Sequence, residues 1–349
     1  MTFDMNKAIV RAGVLVLAAA SWGWTAAKPL VLVTTPDMAS IVQLVAGDLV
    51  DIQVVLPPGA DPHDFTITSA HIRAFRDGAL IVYALSKAHA FEAAIKAALP
   101  DKPSLDWDDY AAAGASLRDY PGYPRNPHAP WLRLDNARAI ARVVARRLEQ
   151  MGLPGPVLGG RLALFEQELT AQQALAQRVV QAHGLAGRPM LAVIPGVCDV
   201  IANFGVPVGD VLMAEGSGTV AGKQLEAAVA RLRAGQYSAI VCPVSMRQTK
   251  QGEAARQVAQ DSGAPIIWVH FLDARPGTDT YLSQAADDLA AVASVGAPRS
   301  SAHDASAQRG GQAFAAVLAG IAGLLAGIVL GRALGRPRSC GRGAGIFDA

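Results

Sequence analysis

One stretch constrains the fold of this chain more than any other: Leu158, Leu162, Phe165, Leu169, Ala176 and Val179 recur at helical spacing, with Pro154 before them and Gly184 and Gly187 after. The spacing predicts a single long helix over the segment 153–187. Such a helix is longer than a crossover between neighbouring parallel strands needs, so it reads as a spine joining two separate units. On each side of it, short β-rich runs alternate with helical patterns. Before it the runs fall at 30–34, 51–56, 79–84 and 104–107, with helices through Met38, Ile41, Val42 and Val45, through Ile72 and Phe75, over 88–99 and over 136–151. After it they fall at 190–194, 210–213, 238–242 and 265–271, followed by a last helix around 281–293. This rhythm predicts parallel sheets wound with helices. The expected fold class is therefore α/β, with two doubly wound lobes at 28–152 and 188–295. A chain of 349 residues that is 51% hydrophobic has enough apolar material for two cores.

Both ends carry apolar segments. Lys7 and Arg11 precede the apolar stretch 12–24 and the small residues Thr25, Ala26 and Ala27, the pattern of an export signal over 1–27. The bulky Trp22 and Trp24 leave an uncleaved N-terminal anchor as the other reading. Near the opposite end, no charged residue lies between Arg309 and Arg332, and 313–331 is almost wholly apolar, enough for a helix to cross about 30 Å of hydrocarbon. A transmembrane helix is expected at 312–332. Arg332, Arg336, Arg338 and Arg342 follow or close it, which places the tail 333–349 in the cytoplasm and the body outside, periplasmic or otherwise extracytoplasmic. Gly323, Gly327 and Gly331 share one face of that helix and would let a partner helix approach closely, although Gly is common in such helices in any case. The segment 296–311 is rich in Ala, Ser, Gly and Arg and reads as a flexible tether with a mean span on the order of 20 Å.

The formal charge of +2, with no basic run interleaved with aromatics, argues against a nucleic-acid partner. No phosphate-binding Gly-rich loop, nucleophile elbow or His-Glu-x-x-His helix occurs in the body, so an enzyme is not expected. What recurs is Asx-Pro-His, as Asp61-Pro62-His63 and again as Asn126-Pro127-His128. Proline restrains both itself and the residue before it, so each imidazole is presented from a stiffened loop. Two such rings brought together would suit Zn²⁺, Mn²⁺ or a similar divalent ion, whereas apart they are ordinary surface histidines.

The runs Val31-Leu32-Val33-Thr34-Thr35-Pro36, Leu56-Pro57-Pro58-Gly59-Ala60-Asp61-Pro62-His63 and Ala79-Leu80-Ile81-Val82-Tyr83 resemble the zinc/manganese solute-binding proteins of ABC importers. The resemblance continues through His128, Trp131-Leu132 and Asp135-Asn136-Ala137 and reaches about Val292. It implies two α/β lobes bridged by a rigid helix, a cation held in the cleft between them, and delivery to an ABC-type permease in the membrane. It also implies His63 and His128 as first-lobe metal ligands and Asp273, in Phe271-Leu272-Asp273, as the second-lobe carboxylate. Two departures stand out. The second-lobe segment Val193-Ile194-Pro195-Gly196-Val197-Cys198-Asp199 lacks the family's further His or Glu, and Ala111 to Arg125 lacks a histidine-rich insertion, so the sequence does not choose between Zn and Mn. Relatives of this kind could also act as a metal chaperone or sensor, bind another ligand, or serve as an adhesion module without metal.

Cys198 and Cys242 are the cysteines of the body, Cys340 lying beyond the apolar helix. In a doubly wound sheet of order 2-1-3-4 they fall at neighbouring strand ends. A disulfide, a thiolate ligand at Cys198 in place of the missing residue, and two inert thiols are all open. Of the other histidines, His71 and His89 are expected within helices, His183 at the end of the spine and His303 in the tether, all solvated. His270 is the one expected nearer the cleft.

Overall fold

A computed structural model of the protein describes residues 27–213, 222–275 and 280–296. The expected export signal, tether, transmembrane helix, cytoplasmic tail and His303 lie outside these residues. Among the described residues no helix is long and apolar enough to cross a membrane.

The first lobe is a four-stranded parallel sheet of β1 (Leu30–Val33), β2 (Asp51–Val54), β3 (Leu80–Val82) and β4 (Ser104–Leu105), in the order β2-β1-β3-β4. Its inner strands are apolar on both faces because helices cover both. Val31, Val33, Leu80 and Val82 point into the main core, while Leu32 and Ile81 point the other way with Leu56, Phe75 and Phe91. Four helices belong to this wrap: α1 (Pro36–Ala46), α2 (Ser69–Phe75), α3 (Ala90–Ala98) and α4 (Trp107–Ala112). Proline at the first turn starts α1, and Gly47, at φ 58°, ends it. His71 lies within a helix as expected and is partly exposed, and it also has a capping role. Thr68 Oγ1 accepts from the His71 amide while His71 Nδ1 accepts from the Thr68 amide, so the histidine closes the N-terminus of α2.

The second lobe repeats the plan. Strands β5 (Met190–Ala192), β6 (Val208–Val211), β7 (Ile240–Pro243) and β8 (Ile266–Val269) are parallel in the order β6-β5-β7-β8. Between the lobes run α5 (Leu134–Gln150) and α6 (Gly155–Ala182), the latter 28 residues long, or about 42 Å at 1.5 Å per residue. Leu158, Phe165, Leu169, Ala176 and Val179 form its buried stripe, and Gly184 at φ 63° follows its end. The remaining helices are α7 (Cys198–Asn203), α8 (Gly222–Arg233), α9 (Lys250–Ser262) and α10 (Tyr281–Gly296).

The main core runs continuously through both lobes, and polar ties cross between them. Gln172 of α6 donates to the Leu282 carbonyl at 2.8 Å, and the Tyr281 hydroxyl donates to the Leu132 carbonyl at 2.8 Å. Asn203 accepts from the Leu134 amide at 3.0 Å and donates to the Leu132 carbonyl at 2.9 Å.

Candidate metal centre

In parallel α/β sheets ligands are met at the carboxyl ends of the strands. The loop after β2 carries His63, the loop after β3 carries His89, and the segment leading into α5 carries His128. These three imidazoles converge. The His63 ring centroid lies 6.0 Å from that of His128 and 6.1 Å from that of His89. Two imidazoles on one tetrahedral ion, with metal–nitrogen bonds of about 2.0–2.1 Å, would have centroids roughly 5 Å apart, so these rings stand about 1 Å wider. Among the described residues no group of three or more His, Cys, Asp or Glu side chains is placed to hold a metal ion.

Neighbouring groups fix how the rings are presented. Asn126 Nδ2 donates to the Pro195 carbonyl at 3.0 Å, which sets the amide's orientation and leaves Oδ1 to accept from His128 Nδ1 at 2.7 Å. His128 therefore carries its proton on Nδ1, and Nε2 is the unprotonated ring nitrogen. Burial, then the charges of His63 and His89, push its pKa down to about 4, so the ring is neutral at physiological pH. His63 is exposed, on a turn in which Asp61 Oδ1 accepts from its amide at 2.8 Å. His89, expected to be solvated within a helix, is instead 4% exposed and sits just ahead of α3.

Backbone strain marks the same places. Among the described residues, the non-glycine residues with positive φ are Arg125 and Ala129, which bracket Asn126-Pro127-His128, and Leu272, which precedes Asp273. Such conformations cost about 1–2 kcal/mol each for L-residues and persist where the surroundings over-determine them. The loops also touch the second lobe. The Gly59 amide donates to the Leu272 carbonyl at 2.7 Å, and the Leu272 amide donates to Asp37 Oδ2 at 3.1 Å.

Asp273 is engaged within its own lobe. Its Oδ2 accepts from His270 Nδ1 at 2.9 Å, and its Oδ1 accepts from the Phe271 amide at 3.1 Å and from Gln284 at 3.2 Å. His270, first through this hydrogen bond, has its pKa raised to about 9. Fully buried Asp37 is pushed up to about 7, by burial first and then by the charge of Asp273, and burial likewise raises Asp288 to about 8.

These shifts give a pH dependence with a definite sign. A carboxyl whose pKa is raised on folding loses stability as pH rises from its unfolded value through its folded one, and a raised histidine loses its contribution as pH rises through its folded value. Asp288 and His270 act in this way between pH 6.5 and 9, joined by the end of the Asp37 titration. The opposing gain from His128 is complete below that window. The metal-free chain should therefore melt at a lower temperature at pH 9 than at pH 6.5, as read by calorimetry. A melting temperature that rises or holds constant would contradict these assignments.

Cys198 and Cys242 are both buried and no disulfide joins them. Burial pushes the Cys242 thiol up to about 12, which makes it a poor ligand or nucleophile. Cys198 opens α7, and the residue beside it, Asp199, closes a cross-lobe cluster. The Tyr120 hydroxyl donates to Asp199 Oδ1 at 2.7 Å, and buried Arg133 stands 3.9 Å from the same oxygen. His183 is the C-cap residue of α6.

The profile of the ZnuA family, described as the periplasmic component A of a zinc-uptake complex, matches residues 31–295. The chain belongs to this family. No curated protein sequence matches it significantly. Solved structures share the fold of this ZnuA-family chain. The periplasmic zinc-binding protein TroA from Treponema pallidum is 20% identical with a TM-score of 0.63, over 77% of this chain and 99% of that one. The solute-binding protein FpvC from Pseudomonas aeruginosa, in complex with Mn²⁺, is 17% identical with a TM-score of 0.63, over 77% and 98%. A periplasmic metal-binding protein from Candidatus Liberibacter asiaticus is 18% identical with a TM-score of 0.61, over 77% and 100%.

The paired Asx-Pro-His loops pointed to His63 and His128, whereas His89 was expected to be solvated within a helix. A usable signal was present: His89 follows the apolar run 79–84, and so falls at a strand end, and it stands three residues before Glu92 in a segment read wholly as helix.

Proposed function

We propose that this ZnuA-family protein captures a divalent transition-metal ion outside the cytoplasm and hands it to an ABC-type permease. In this reading His63 and His128 are ligands from the first lobe, and Asp273 becomes available from the second when the ion competes with His270 for its carboxylate. The observation that carries the reading is the 6.0 Å approach of the His63 and His128 rings, with the His128 ring held in place by its Nδ1 bond to Asn126. Capture and release need no bond-making chemistry, so the protein acts as a binding partner of the permease and not as an enzyme. Cys198, at the start of α7 in the second lobe, is a further thiolate candidate in place of the family's missing second-lobe His or Glu. The apolar segment 312–332 would hold the body at the membrane, with the tether 296–311 letting it reach the permease.

Import is the direct test. Cells lacking this protein should accumulate less Zn²⁺ or Mn²⁺ when the ion is scarce, and the wild-type chain should restore uptake. Unchanged accumulation of both ions would contradict delivery.

A further inference from the structure

The His89 side chain makes no hydrogen bond that accounts for its place in the fold. It occupies the N-cap position of α3, yet its side chain makes no capping hydrogen bond. The loop that carries it is held by other groups. Both oxygens of buried Glu92 are used, Oε1 accepting from the Ala84 amide and Oε2 from the Leu85 amide, each at 2.9 Å. Asp106 accepts from the amide and the hydroxyl of Ser86. Phe91 stacks beside the His89 ring at 5.8 Å and Trp131 meets it edge-on at 5.7 Å, so the imidazole is walled by aromatics with His63 across from it. Its Nδ1 lies 3.3 Å from Glu92 Oε2 without the alignment of a hydrogen bond and is otherwise unpartnered.

A buried imidazole left in this state costs stability, so a compensating role is expected. We propose that His89 is a third imidazole ligand of the site, giving the first lobe alone a three-nitrogen face that prefers Zn²⁺ or Ni²⁺ to Mn²⁺. The proposal rests on the metal-capture reading above and deepens it. A metal on Nε2 makes Nδ1–H a stronger donor, and Glu92 is the carboxylate placed to receive it, the arrangement by which second partners orient ligating histidines. Drawing the ring in by about 1 Å would bring it to the spacing of imidazoles on one ion. A ligand here also answers the second-lobe segment 193–199, which has no histidine. Nitrogen ligands suit Zn²⁺ and Ni²⁺, whereas Mn²⁺ favours oxygen, so the third imidazole sets the preference.

The test is X-ray absorption spectroscopy on the full-length chain loaded with one equivalent of Zn²⁺, with His89→Gln alongside. The wild type should show at least three imidazoles around zinc and the variant one fewer, with Zn²⁺ affinity lowered about 10-fold or more and Mn²⁺ affinity changed less. An imidazole count and Zn²⁺ affinity unaltered in the variant would overturn the role of His89 while leaving metal capture intact. A wild-type chain that takes up no zinc would remove both. If the substitution disturbs folding, the wild-type spectrum still decides, since two imidazoles or fewer overturn the proposal.

Discussion

Replacing His63 and His128 together by alanine is expected to abolish binding of the divalent ion, with a loss of more than about 100-fold in affinity, since even partners that only orient a ligand are worth 10–100-fold. His63 sits on a loop fixed by the Asp61 turn, and the His128 loop keeps the Asn126–Pro195 hydrogen bond when the ring is lost, so the fold should survive both truncations. The check is elemental analysis together with circular dichroism. An unaltered helical spectrum with no retained ion is the expected pair of results. Undiminished binding in the double variant would show that the ion is held elsewhere.

The second large effect concerns stability. Asp199→Ala removes the counter-charge from Arg133, which is 5% exposed and whose Nε and Nη1 have no hydrogen-bond partner, and it also strips the acceptor from Tyr120. Breaking a buried pair by deleting one member typically costs about 3–5 kcal/mol, because the remaining charge stays buried. Tyr120 and Arg133 belong to the first lobe and Asp199 to the second, so both lobes should lose stability in one transition. Urea unfolding followed by fluorescence reads this as a lowered midpoint without a second step. A change below about 1 kcal/mol, or two separated transitions, would mean that the cluster does not couple the lobes.

Much of the fold was legible because it is written in local periods. The apolar stripe from Leu158 to Val179 between Pro154 and Gly184 announced a helix that spans Gly155–Ala182, and the βα rhythm on each side gave two parallel sheets. The site was only partly legible. The two Asx-Pro-His loops are conspicuous because proline limits what the chain can do there. His89 was not, because a helix starting one residue later hides its N-cap in the same apolar pattern. The capping role of His71 was not legible either: its partner is the Thr68 backbone, and capping geometry has no hydropathy signal. The Tyr120–Asp199–Arg133 cluster joins residues far apart in sequence, and no short-range pattern encodes such a contact.

Metal capture requires that the convergent first-lobe imidazoles bind one ion. Calorimetric titration of the chelator-stripped full-length chain with Zn²⁺ at neutral pH tests it most directly. Saturable binding of one ion per chain, lost in the His63→Ala/His128→Ala variant, is the result predicted. The absence of saturable binding of Zn²⁺, and of Mn²⁺ and Ni²⁺ in parallel titrations, would contradict it.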